Sequence, residues 1–188
     1  MLFNSALTAP LSVRAAPGDL ARVSVDSAGA QANAASKRPS ISGDGRFIAF
    51  ESDASNLVPN DTNAATDIFV KDRQTGEITR VSVDSSEAQA NEGSGGAAIS
   101  NDGRYVAFIS DASNLVANDT NATTDVFVRD RQLGTTIRAS VSSSGEQAND
   151  FSDSPLSISS DGRYVAFNSD ASNLIANDTN SVTDVFAH

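Results

Sequence analysis

The chain has 188 residues, with 24 acidic against 13 basic and a formal net charge of −11. That is long enough for one core and too acidic for nucleic acid or an anionic membrane surface. It holds no Cys, and its single His is the last residue, His188, so disulfide frameworks, zinc–thiolate sites and thiol nucleophiles are excluded. A Ser-His-Asp triad or a His-based metal site would have to rest on that terminal residue, and chemistry falls to carboxylates, amides and hydroxyls.

The opening MLFNSALTAPLSV has neither a basic start nor a sustained apolar run, and makes a poor signal peptide. No apolar stretch approaches the roughly 20 residues that span a bilayer. Residues 11–20, LSVRAAPGDL, read as a degraded strand, and ARVSV at 21–25 as a short one. Gln31-Ala32-Asn33 follows, and then a pattern that occurs three times. Its second copy is the clearest. AAIS leads into an Asn101-Asp102-Gly103 turn and then RYVAFIS, a hairpin signal because Asp-Gly supplies the positive φ of a tight connection. A polar loop from Asp111 to Thr124, the apolar run DVFVRD, a Gln132-Leu133-Gly134 turn and TIRASV complete four strands, here A to D.

Asp44, Asp102 and Asp161 recur at steps of 58 and 59 residues, and so do Asp61, Asp119 and Asp178. Strands B and C are apolar on consecutive positions (Tyr105 to Phe108, Val126 to Val128), as expected when both faces are covered by neighbouring sheets. The chain is thus all-β, built of four-stranded antiparallel β-propeller blades, three per chain. Residues 1–20 form a degenerate strand or linker and 21–35 a strand that closes a third blade. Residues 36–93 form blade 1, 94–152 blade 2, and 153–188 a blade 3 that lacks its last strand.

The segments SISGDGRFIAFESDASNL, AISNDGRYVAFISDASNL and SISSDGRYVAFNSDASNL, followed by DIFVKDRQTG or DVFVRDRQLG, carry a family resemblance. Over about residues 21–186 the chain resembles the WD40-like β-propeller repeat of the TolB type. The resemblance implies a propeller and a periplasmic or extracellular location, but no single activity. The family's Ser-Pro-Asp-Gly turn appears without its Pro, with Gly43, Asn101 and Ser160 in that place.

Three blades are fewer than the four or more from which closed propellers are built. The expectation is a head-to-tail homodimer of six blades, in which residues 21–25 of each chain complete the third blade of its partner. The competing reading is a fragment of a longer propeller, prone to aggregate through its open edges.

Asp-Thr-Asn-x-x-x-Asp offers hard oxygen ligands to Ca²⁺ at positions one, three and seven, with the carbonyl of position five. The candidate ligands are Asp61, Asn63, Ala65 and Asp67; Asp119, Asn121, Thr123 and Asp125; and Asp178, Asn180, Val182 and Asp184. An EF-hand is rejected, because strand geometry carries Asp72 and Asp130, at position twelve, about 16 Å onward to the opposite face. The loop also lacks a Gly at position six. Asx turns that rigidify the connection without metal explain the same residues. Gln-Ala-Asn reads as a hydrogen-bonding tie for the D to A loop.

The copies differ just after Gln-Ala-Asn, where Glu92, Asp150 and Asp153 offer carboxylates near the central channel and Lys37 and Arg38 offer cations. Solvated loop residues are the plain alternative. Two functions follow. One is a calcium-binding half-propeller with a ligand- or partner-binding loop face. The other is a calcium-dependent hydrolase of phosphoesters, phosphotriesters or lactones working at the channel.

Overall fold

The computed structural model describes residues 20–188. The degraded strand read at 11–20 lies outside the described residues, apart from Leu20.

The first sheet joins β1 (Ser36–Ile41), β2 (Phe47–Ser52), β3 (Asp67–Asp72) and β4 (Ile78–Arg80) in antiparallel order. The second joins β5 (Ser94–Ile99), β6 (Tyr105–Ser110), β7 (Asp125–Asp130) and β8 (Thr135–Arg138) in the same way. The third has β9 (Ser152–Ile158), β10 (Val165–Ser169) and β11 (Asp184–Ala187), with β11 at its edge. The four-strand period and the three-stranded last sheet agree with the sequence reading.

The Asp-Gly-Arg segment makes the β1–β2 turn for a local reason. Asp44 accepts from Ser42 Oγ at 2.7 Å and from the Arg46 amide at 2.9 Å, while Gly45 takes φ +73°. Asp102 repeats the arrangement with Ser100 and Arg104. At the far end of β3, Asp72 receives the Arg46 guanidinium at 2.6 Å, and Asp130 receives Arg104 at the same distance. Position twelve of the rejected EF-hand is therefore spent on holding the β2–β3 hairpin.

Both faces of the middle strands are covered. Ile68 and Val70 of the first sheet pack with Val106, Phe108 and Phe127 of the second. Ala107 and Val126 pack with Val165 and Phe167 of the third. Each Val, Ile or Phe among them contributes about 1.5–3 kcal/mol of burial, which accounts for consecutive apolar positions where a half-exposed strand would alternate. Turn tips also lock together. The Phe47 ring lies against Gly103 and the Tyr105 ring against Gly162, leaving no room for a Cβ at either glycine. Alongside, the Gly43 amide donates to the Asn101 carbonyl at 2.9 Å and the Asn101 amide to the Ser160 carbonyl at 3.1 Å. A Pro at position 43 or 101 would lack that N–H, which explains its absence from these turns.

Candidate functional site: guanidinium-centred loops and an inter-blade cleft

The β2–β3 connection of the first sheet brings Asp61 and Asp67 together. Between them stands Arg80, at the end of β4, with Nη1 3.3 Å from Asp61 Oδ1 and 3.1 Å from Asp67 Oδ2. Its Nη2 donates to the Asn60 carbonyl at 3.3 Å, while its Nε is buried without a partner. Gln89 Nε2 donates to Asp61 at 2.9 Å and to Asp67 at 3.3 Å. Ser82 Oγ donates to Asp67 Oδ1 at 2.5 Å. Asp67 is fully buried, and burial raises its carboxyl above the usual carboxylate range, against the pull of Ser82 and Arg80.

The remaining candidate ligands are turned to protein partners. Asn63 Oδ1 accepts from the Ala65 amide at 3.1 Å, an Asx turn, and its Nδ2 donates to the Ala90 carbonyl at 3.0 Å. The loop thus carries its own cation, a guanidinium, among the oxygens that calcium would use. Among the described residues, no group of three or more Asp, Glu or His is arranged to hold a metal ion.

The second sheet repeats the cluster. Arg138 Nη1 lies 3.2 Å from Asp125 and 3.7 Å from Asp119, and Gln147 donates to both carboxylates. Ser140 donates to buried Asp125, whose carboxyl burial again raises. Thr123 takes the place of Ala65, its amide donating to Asn121 at 3.4 Å. In the third sheet Asn180 donates to Asp184 at 3.1 Å and accepts from the Val182 amide at 3.3 Å. Among the described residues, however, neither Asp178 nor Asp184 has an ion pair, because no β4-like strand flanks β11.

Gln-Ala-Asn is the tie that the sequence suggested. Asn91 donates to Ser113 at 3.0 Å and accepts from its amide, and Asn114 donates to the Gln89 carbonyl at 2.8 Å. Asn33 and Asn149 repeat the pattern with the following Ser-Asn pair.

Nearer the inner strands, a cleft of about 460 Å³ opens between the sheets, lined among others by Lys37, Arg38, Glu51, Phe151 and Asp153. Of the three channel carboxylates expected from sequence, only Asp153 reaches it. Glu92 and Asp150 are exposed and are not among its lining residues. The acid that sequence reading missed is Glu51, a buried β2 residue held by Arg38 Nη1 and by the Gly96 amide, each at 3.2 Å. Its signal was available in strand B, where the copies read FESD, FISD and FNSD.

No family model matches the sequence, and no curated protein matches it. Among solved structures, a TolB-type protein from Agrobacterium tumefaciens superposes with TM-score 0.50 at 17% identity, over 82% of this chain and 46% of that one. TolB from Acinetobacter baumannii gives 0.46 at 17% identity, over 82% and 29%. The chain spans less than half the length of either protein. At this identity the likeness is one of fold, and the three sheets resemble blades of TolB-type β-propellers.

Proposed function

We propose, from the likeness of these sheets to TolB-type blades, that the chain is a half-propeller that a second copy completes to six blades, presenting a ligand-binding face around the inter-blade cleft. The observation that carries this reading is the state of the end blades. Val185 of β11 is 76% exposed, while its counterparts Ile68 and Val126 are 0% exposed against a following blade. Ile41 on β1 is 58% exposed, whereas Ile99 on β5 is 7% exposed against a preceding one. Two complementary apolar ends on one molecule favour a head-to-tail interface.

The cleft offers both charge signs and the Phe151 ring, which suits a small ligand carrying both charges better than a metal-activated water. In this reading calcium competes with arginine for the loop oxygens and is confined to the third loop, Asp178 to Asp184, when no guanidinium fills it. Of the carboxylates offered for the hydrolase alternative, Asp153 alone lines the cleft, and the ligand-binding reading uses it as one of the charges that hold the ligand. A location outside the cytoplasm belongs to the same proposal. No helix among the described residues is long and apolar enough to cross a membrane.

Sedimentation or light scattering tests the assembly. A mass twice the 19.4 kDa of the chain is expected, and a monodisperse monomer at all concentrations overturns it.

A further inference from the structure

We infer that the Asp178–Asn180–Asp184 loop is a receptor for an arginine supplied in trans, Arg22 of a second copy, with Ser24 and Gln31 of that copy completing the site. This rests on the half-propeller reading and specifies the chemistry of its seam.

The two sister loops show what the third binds. In each, an Arg-x-Ser segment on the fourth strand places a guanidinium between two carboxylates and a hydroxyl on the buried one: Arg80 and Ser82 on Asp61 and Asp67, Arg138 and Ser140 on Asp119 and Asp125. A Gln from the turn beyond donates to the same pair. The third loop has the carboxylates and the Asn but neither Arg nor Ser. Of the two other Arg-x-Ser segments, Arg38-Pro39-Ser40 and Arg22-Val23-Ser24, the second alone is followed by a Gln, Gln31, at the interval of Gln89 from Arg80. Arg22 is exposed and has no ion pair among the described residues.

The fold presents this segment in the required place. The turn bridged by Val25 and Gln31 is seated on blade 1 by Lys71 Nζ, 3.2 Å from the Val25 carbonyl, and by Ser27, which accepts from the Ile78 amide at 3.2 Å. The turn bridged by Val83 and Gln89 is seated on blade 2 in the same manner, with Ser85 accepting from the Thr136 amide at 2.9 Å. Residues 79–83 just before that turn run along β3 of the blade behind. Residues 21–25 therefore occupy the position of an outer strand belonging to a blade that precedes blade 1.

Register follows from the sister pairs. Phe69 faces Arg80 and Phe127 faces Arg138, so Phe186 faces Arg22. The Val23 amide then donates to the Val185 carbonyl, as Val81 does to Ile68 at 2.8 Å. Leu20, fully exposed in one chain, takes the place of Ile78, which is 5% exposed. A second contact closes the same seam independently. Tyr164, 55% exposed, takes the seat that Phe47 has on Gly103, with Gly45 of the second copy beneath it; in one chain the nearest atoms to a Cβ on Gly45 are 3.8 Å away.

A double-mutant cycle on the dimer tests this. Arg22→Ala and the pair Asp178→Asn with Asp184→Asn are each expected to weaken dimerisation by at least about thirtyfold, the usual effect of breaking a desolvated charge pair. Combining them in one chain adds little more. An equimolar mixture of the two variants regains dimer, because one of its two seams is intact. Circular dichroism checks that each variant folds, and Arg22, being exposed, leaves the monomer unaltered. A wild-type monomer overturns the half-propeller reading and this inference with it. A wild-type dimer whose affinity the variants leave unchanged, or change additively, overturns only the trans arginine.

Discussion

Arg80 lies between Asp61 and Asp67, 3.3 Å from one carboxylate and 3.1 Å from the other, where the loop sequence alone would place a metal ion. Replacing it with Ala leaves two buried carboxylates facing each other with only Gln89, Asn63 and Ser82 as donors. The expected loss is about 3 kcal/mol of stability, read from urea denaturation at neutral pH. Because burial already raises the Asp67 carboxyl, protonating it relieves the charge, and the deficit of Arg80→Ala shrinks as pH falls toward the carboxylate range.

The proposed competition of calcium with arginine for these loops gives a metal prediction. Chelation leaves the melting temperature of the assembled wild-type protein unchanged. Millimolar Ca²⁺ raises that of Arg80→Ala, since Asp61, Asn63, the Ala65 carbonyl and Asp67 then lack their guanidinium. Differential scanning calorimetry with and without chelator reads both. A wild-type transition that drops on chelation would show metal in the intact loops.

At the other end of the strand the carboxyl is shifted the other way. Hydrogen bonding to Arg46 lowers the Asp72 carboxyl from 3.8 to about 2, against the effect of burial. A depressed folded-state value means stability fully present above pH 4 and lost as pH falls through about 2. Arg46→Gln should destabilise the fold modestly at pH 7, since Arg46 is partly exposed and the pair is screened by solvent. It should also flatten the acid limb of the stability curve. Denaturation midpoints from pH 7 to 2 check it, and a parallel offset at every pH would contradict it.

The turn glycines separate inner seams from the outer one. Gly103→Ala places a Cβ into the Phe47 ring and should disrupt the contact between the first two sheets at any protein concentration. Gly45→Ala meets no neighbour within 3.8 Å in one chain and carries only the strain of φ +73° there, about 1 kcal/mol. Its larger effect should be on self-association, where Tyr164 of another copy needs the same space. Comparing monomer stability and dimer affinity for both variants distinguishes the two roles.

Much of the fold was legible because each repeat states it twice over. Val126, Phe127 and Val128 in succession announce a strand covered on both sides, and Asp102-Gly103 announces the hairpin. The role of Gln-Ala-Asn was legible for the same reason, since Asn and Gln in a recurrent loop position are there to hydrogen-bond. The content of the Asp-Thr-Asn loops was not. Arg80 is 19 residues beyond Asp61 in a segment, TRVSV, whose alternation reads as ordinary strand, and nothing local marks it as a counter-ion. Glu51 was hidden likewise inside an apolar run, where only comparison of copies isolates it. Glu92 and Asp150 were named as acids near a channel, but position in the chain did not fix whether they point into it.

The bonds at the turn tips run one way, from the Gly43 amide to Asn101 and from the Asn101 amide to Ser160. The array therefore has a donor end and an acceptor end. In the proposed dimer the copies join in series, not back to back, and both joints are the same joint. In that assembly, the angle turned per blade would halt the growth. A substitution that altered this angle slightly, without weakening any contact, would turn a closed ring into an open helical polymer.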